Sequence, residues 1–220
     1  MITPIAAFFD FDNTLITGDS AKIGIDYLRE RKMLPLSYLL RVGAANELFK
    51  RNLLSAERMA KLLLTFYKGH ELKTFTDGME EYYQERIRPI LAPVPMERLE
   101  WHRSQGHLLV LLSGSIQYLL TPVARDLHID HLLCTRLEKS PEGLLTGRSE
   151  GPPCIGVHKI NYASRLAQKL GLDLGSSYAY ADHQSDLPLM EKVGHPVAVE
   201  PTIFLRREAE KRGWPILRHR

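Results

Sequence analysis

The 220-residue chain predicts an α/β fold: a doubly wound, mostly parallel sheet with an inserted all-helical lobe. Three observations predict it. The run IAAFFDF at residues 5–11 is short, apolar and bounded by Pro4 and a polar DNT cluster, as a strand buried on both faces requires. From about residue 19 to 88 the pattern turns helical, with apolar residues and charges recurring every three or four positions, as in LSAERMAKLLLTFYKG at 54–69. After Pro89, Pro93 and Pro95, apolar strands alternate with helices, the signature of a sheet covered on both faces.

Taken in order, the elements beyond the prolines begin with a helix over 96–105 and a buried strand LLVLLS at 108–113. A helix over 116–127 and a strand over 132–137 follow, then a hairpin through SPEGLLTG at 140–147, whose Pro141 and Gly143 are turn residues. The chain continues with a helix over 159–170, the strand SYAYA at 177–181, a short helix over 187–193, the strand PVAV at 196–199 and a last helix over 203–212. No internal repeat interrupts this order.

Composition narrows the function classes. An apolar fraction of 44% and a charged fraction of 25% are ordinary for a folded globular chain. Apolar runs fall far short of the roughly 20 residues a membrane span needs, and the N-terminus lacks a signal-peptide pattern, so a cytoplasmic location is expected. Cys134 and Cys154 have no CxxC partner and no histidine at ligand spacing; they read as reduced thiols rather than a disulfide or zinc site. His128 and His131 likewise lack companion ligands. A net charge of +3 implies no nucleic-acid partner, but residues 29–61 hold a local excess of five positive charges, which would draw an anion or simply solvate a helical surface.

The chemistry lies at strand ends, where open α/β sheets bind ligands. Asp10 and Asp12 end the first strand, Ser113 the second, and Asp182 with Asp186 follow YAYA. Carboxylates gathered this way repel one another without a cation, and magnesium fits, because it takes oxygen ligands and keeps waters that a phosphate can replace. A calcium helix-loop-helix site fails: Leu15 stands where its glycine belongs and Ala21 where its glutamate belongs. Ser113 and Gly114 offer a hydroxyl and backbone N–H groups before a helix start, and Lys159 adds a positive charge, together suited to a phosphoryl group. No GxxxxGK[ST] or GxGxxG pattern is present. Singly, each residue has a commoner meaning: a helix cap, a turn or a solvated lysine.

In this order the four segments FDFDNTL, LLSGS, the isolated Lys159 and YADHQSDLPLM resemble the four motifs of the haloacid dehalogenase superfamily, in its phosphoserine phosphatase-like branch. The resemblance covers essentially the whole chain. It implies a Rossmann-like core at residues 1–16 and 92–220 and a helical cap at 17–91. It further implies a phosphatase in which Asp10 becomes phosphorylated and Asp12 acts as general acid and base. Magnesium would be held by Asp10, the Asp12 carbonyl and Asp182, with Asp186 supporting the metal through water or fixing Lys159. Ser113, Gly114 and Lys159 would bind the phosphoryl oxygens, and the Thr14 hydroxyl would orient the loop. Asn13, Ala181 and the His183-Gln184-Ser185 stretch depart from the usual pattern and bear on substrate.

The resemblance also implies a small phosphorylated substrate. Asp19 aligns with an acid that faces a substrate amine in phosphoserine phosphatase-like enzymes, which suggests phosphoserine or histidinol phosphate; Asp19 or Ser20 would equally serve as a helix N-cap. Arg41, Lys50 and Arg51 are candidates for a second anionic group of the substrate, or for plain exposure. The leucines of the lobe (34, 36, 39, 40, 53, 54 and 62–64) read as its core, with a lipid-headgroup phosphatase at a membrane surface as the alternative. A non-enzymatic phospho-accepting switch would need neither Asp12 nor the long lobe. The oligomeric state is not written in the sequence.

Overall fold

The computed structural model describes residues 3–51 and 53–220. Strand β1 (Ala6–Phe9) leads into a tight turn through Phe11–Leu15, which Asn13 passes with a positive φ of 51°. Five helices follow: α1 (Ser20–Glu30), α2 (Leu36–Lys50), α3 (Ala56–Leu64), α4 (Lys73–Thr76) and α5 (Met79–Tyr82). The chain then alternates α6 (Pro93–Ser104), β2 (Leu108–Ile116), α7 (Gln117–Asp126) and β3 (His131–Thr135). A hairpin of β4 (Leu137–Lys139) and β5 (Leu145–Ser149) precedes α8 (Val157–Leu170), β6 (Tyr178–Ala181), α9 (Leu187–Met190), β7 (His195–Val199), α10 (Ile203–Arg212) and β8 (Ile216–Leu217).

The six-stranded sheet has the order β3-β2-β1-β6-β7-β8, and every pairing in it is parallel. Strands β2 and β3 extend to one side of β1, and the chain then crosses to build β6, β7 and β8 on the other. The order therefore reverses between β1 and β6, and a crevice opens beyond their carboxyl ends. Side chains alternate across the sheet: Ala7, Phe9, Leu109 and Leu111 face α6, α7 and the helical insert, while Ala6, Phe8, Val110 and Leu112 face α8, α9 and α10. The core on the first face runs without a break into the insert through Leu28, Tyr38, Phe75 and Met79.

The two ends of the insert meet. Ile16 and Leu91 form an antiparallel bridge, Thr17 N–H donates to the Ile90 carbonyl at 2.9 Å and Ala92 N–H to the Leu15 carbonyl at 2.8 Å. No helix among the described residues is long and apolar enough to cross a membrane.

Several boundaries differ from the sequence expectation for identifiable reasons. Helix α6 starts at Pro93 rather than 96, since prolines are tolerated in a first turn that needs no N–H partners. Strand β2 continues past Ser113 to Ile116 through an irregularity against β3, so the SGS segment is extended chain rather than a turn. The strand expected over 132–137 is two elements, because the chain leaves the sheet after Thr135 and Leu137 pairs with Ser149 in the hairpin. Strand β8 carries only two residues and offers no pattern to read. The leucines expected to form the insert's core divide: Leu64 is buried and Leu62 and Leu63 pack against it, whereas Leu36, Leu40 and Leu53 are 71%, 67% and 69% exposed. The inward face of α2 is instead Tyr38, Val42 and Ala45, spaced one helical turn apart.

Beneath the sheet lies a polar contact no pattern announces. The fully buried His102 bonds through Nδ1 to His107 Nδ1 at 2.8 Å and through Nε2 to the Tyr180 hydroxyl at 2.9 Å; Tyr180 in turn stacks on Phe9 at 4.5 Å. Burial first, then His107 and Arg98, lower the His102 pKa from 6.5 to about 4. The neutral ring is therefore the folded form. As pH falls from 6.5 toward 4 the unfolded chain takes up a proton that the folded chain refuses, so this contribution is complete above pH 6.5 and is lost on acidification. Chemical denaturation across pH 4–7 should show His102→Gln losing up to one proton of this dependence, about 1.4 kcal/mol per pH unit, with the wild-type protein steeper.

Candidate active site

The crevice between β1 and β6 collects the acids. Asp10 follows β1 directly; its N–H donates to the Tyr180 carbonyl at 2.9 Å, and its Oδ1 accepts from the Phe11 N–H at 2.7 Å. Asp182 follows β6, and Asp186 sits one short turn later, where Asp186 N–H donates to the His183 carbonyl at 3.0 Å. One oxygen from each of Asp10, Asp182 and Asp186 lies within 4.8 Å of the others. Lys159, on the first turn of α8, bridges the group: its Nζ lies 2.8 Å from Asp10 Oδ1 and 3.0 Å from Asp186 Oδ2. Gly156 makes this approach possible by capping α8 with φ 52° and ψ −131°, a conformation side chains disfavour.

The electrostatics follow from burial. Asp182 is pushed up to about 8, by desolvation first and then by Asp10 and Asp186, with Lys159 opposing. Asp186 is raised by burial against the pull of Lys159. Burial works to deprotonate Lys159, but Asp10 and Asp186 outweigh it and hold its pKa well above the ordinary value. Fully ionised, three carboxylates against one ammonium would carry net negative charge; burial and then this charge make Asp182 and Asp186 hold their protons more tightly. Asp186 Oδ1 is buried with no hydrogen-bond partner. An orphaned oxygen among hard oxygen donors fits a divalent cation of the magnesium type.

Asp12 stands apart from this cluster. Its Oδ1 accepts from the Ser20 N–H at 2.5 Å and its Oδ2 from the Ser115 hydroxyl at 3.1 Å, and the two serine hydroxyls share a further contact at 2.5 Å. Its carboxylate is thus turned away from the three-acid group, leaving its backbone carbonyl as the expected metal donor. Desolvation, followed by Asp10, raises the Asp12 pKa to about 6 despite the Ser20 contacts. A carboxyl poised there exchanges its proton near neutrality.

The remaining expected residues divide. Ser113 is buried, and its Oγ accepts from the Ser115 N–H at 3.1 Å. The Gly114 carbonyl accepts from Thr135 Oγ1 at 2.7 Å, and Thr135 Oγ1 accepts from Cys154 N–H at 3.1 Å, tying β2 to the loop before Lys159. Thr14 is fully buried, but its hydroxyl has no partner among the described residues, so the loop-orienting bond expected of it is not made. The loop is held instead from outside, by Asn13 N–H on the Gly18 carbonyl at 2.9 Å and by His219 Nε2 donating to the Asn13 carbonyl at 2.9 Å. Asp19 caps α1, its Oδ1 accepting from the Ala21 and Lys22 N–H groups at 2.9 and 3.1 Å.

Arg41 and Arg51 are not brought to the site. Arg41 is on the outward side of α2, next to the buried Val42, and Arg51 ends that helix in an exposed turn; neither lines the cavity beside Asp12. Lys50 is paired with Glu47 at 3.0 Å. Arg31, at the end of α1, lines that cavity and lies 4.9 Å above the Tyr27 ring. Sequence reasoning also missed Ser20, Ser115, Thr135 and His219. The second serine of SGS was a visible signal; the others touch the site from eight or more residues away.

Comparison with known proteins matches residues 7–191 to the haloacid dehalogenase-like hydrolases. The chain is 30% identical over 218 residues to the histidinol-phosphatase of Neisseria meningitidis serogroup C, covering 96% of this chain and 97% of that one. A crystal structure of a Bordetella pertussis protein of unknown function superposes with a TM-score of 0.89 at 31% identity over the whole of both chains. A phosphoserine phosphatase captured as a phospho-aspartyl intermediate analogue superposes at 0.69 and 19% identity, over 100% of this chain and 95% of that one. The chain belongs to the haloacid dehalogenase-like hydrolases. Within that class its fold is that of the phosphoserine phosphatases.

The close approach at Gly114 is directly testable. A Cβ there would sit 2.5 Å from Ile155 Cγ2. Gly114→Ala should lower unfolding free energy by about 1–3 kcal/mol, and adding Ile155→Ala should recover part of that loss, giving a favourable coupling in a double-mutant cycle. Additive losses would mean that the two positions do not press on each other.

Proposed function

We propose that this hydrolase is a magnesium-dependent phosphatase that cleaves small phosphate monoesters through an aspartyl-phosphate. One observation carries the reading: Lys159 neutralises Asp10 within a three-acid cluster at the point where the strand order reverses. An Asp10 oxygen attacks phosphorus, and the bond to the leaving alkoxide breaks as the Asp12 carboxyl gives that oxygen its proton. In the second half Asp12, now a carboxylate, takes a proton from water; the oxygen of that water attacks the same phosphorus, releasing phosphate and restoring Asp10. Ser20 and Ser115 orient Asp12 for both transfers. Lys159, with the backbone around Ser113 and Gly114, stabilises the phosphoryl oxygens.

Asp10, Asp182 and the Asp12 carbonyl would hold the magnesium ion, with Asp186 behind them fixing Lys159. When bound, it supplies Lewis-acid polarisation of the phosphoryl group and offsets the charge of the acids. Residues 17–91 serve in this reading as a cap over the crevice, closed at its root by the Ile16–Leu91 bridge. Asp19 lines the cavity beside Asp12 and spends only Oδ1 on its helix, which supports an amine-bearing ester such as histidinol phosphate or phosphoserine. The name of the Neisseria relative supports the former.

With p-nitrophenyl phosphate and magnesium, the wild-type protein should release p-nitrophenol, Asp10→Asn should fall to background, and Asp12→Asn should lose about 10²–10⁴-fold in kcat. Full activity in Asp10→Asn would end the proposal. Metal binding has its own readout: magnesium at a hundred times its Kd should raise stability by about 2.7 kcal/mol, visible in Tm, and Asp182→Asn should abolish most of the shift. An unchanged Tm in the wild-type protein would remove the ion from the site.

A further inference from the structure

The cavity that begins at Asp12 has a chemistry of its own. It has a volume of about 350 Å³ and runs from Asp12, Gly114 and Ser115 into the helical insert. That volume lies in the range of small-molecule sites. Its walls are aromatic and aliphatic: Tyr27, Tyr38, Phe66, Tyr67, Phe75 and Tyr118 are joined by methionine and leucine side chains from α1, α3 and α5. Three of the four tyrosine hydroxyls offer little to a polar ligand, because Tyr67 and Tyr118 bond to each other at 2.7 Å and Tyr38 donates to the Leu63 carbonyl at 2.9 Å; the fourth belongs to Tyr27. Among the described residues Arg31 is the one cation lining the cavity, and it is exposed and stacked on Tyr27; apart from Asp12 the one acid is the exposed Asp19.

A serine-like alcohol would carry a carboxylate and an ammonium into this space; the free Asp19 oxygen would meet the ammonium, but the carboxylate would have only the exposed Arg31 to replace its water. An apolar body would exchange water for aromatic surface at every wall. We infer that the preferred substrates are phosphate monoesters whose alcohol bears a bulky apolar group, a ring system or a single hydrocarbon chain, seated between α1, α3 and Tyr118 with the phosphate at Asp10. This rests on the phosphatase reading above for the reaction, and on the cavity alone for the preference. A ring points to a free metabolite, a chain to a single-chain lipid phosphate.

The test compares esters of primary alcohols, so that leaving-group acidity does not decide: 2-phenylethyl phosphate, octyl phosphate, O-phosphoserine and glycerol 3-phosphate. The wild-type protein with magnesium should show kcat/KM at least tenfold higher for 2-phenylethyl or octyl phosphate than for the two polar esters, in line with the roughly 10–200-fold that apolar pocket contacts contribute. Whichever apolar ester leads identifies ring or chain. Ala60→Phe, which adds a ring to the cavity wall, should lower the ratio of apolar to polar kcat/KM at least tenfold. Calorimetric binding to Asp10→Asn with magnesium separates the two claims: tighter binding of the apolar esters without wild-type turnover of any ester would overturn the hydrolase reading and support the cavity preference. Equal or better turnover and binding of phosphoserine or glycerol 3-phosphate would overturn the preference.

Discussion

The buried contact of Lys159 with Asp10 and Asp186 is the constraint on which the rest of the structure depends. An ammonium removed from water is tolerated only because two carboxylates meet it at 2.8 and 3.0 Å. Those carboxylates come from the end of β1 and from the turn after β6, neighbours in the sheet although more than 170 residues apart in sequence. The lysine arrives from α8, on the opposite face from the insert. One ion group therefore fixes the relative position of two strand ends and a helix start, and it leaves one acid in excess for a cation.

The sheet gives this group its rigidity, and the two faces do different work. On the face of α8, α9 and α10, small residues such as Ala163, Ala179, Ala181 and Ala198 let helices lie close to the strands, so that Lys159 reaches Asp10. On the other face the core continues into the insert, so Asp12, Ser20 and Ser115 sit at the seam between sheet and helices. The Asp12 carboxyl at that seam is desolvated by burial, which together with the charge of Asp10 is why its pKa rises.

What the sequence discloses depends on whether a signal is local. Strands β1, β2, β6 and β7 announce themselves as apolar runs ended by polar residues, and the acids at those ends mark the crevice because a parallel sheet aligns its carboxyl ends. Helix faces are another matter. Arg41 and Arg31 look alike in a basic stretch, but α2 turns Tyr38, Val42 and Ala45 inward and so leaves Arg41 outside, whereas Arg31 lines the cavity from the end of α1. The same rotation leaves Leu36 and Leu40 exposed. Ser20 and His219 touch the loop after β1 from distant positions, contacts that exist only once the insert and the C-terminal segment have packed.

The central claim is that Asp10, and no neighbouring acid, carries the phosphoryl group. Its most direct test is to quench the protein during turnover of a phosphate monoester, reduce with borohydride, and map the peptides by mass spectrometry, since reduction of an acyl phosphate converts aspartate to homoserine. The account predicts homoserine at position 10 alone. Homoserine at position 12, 182 or 186, or none anywhere while hydrolysis proceeds, would contradict it.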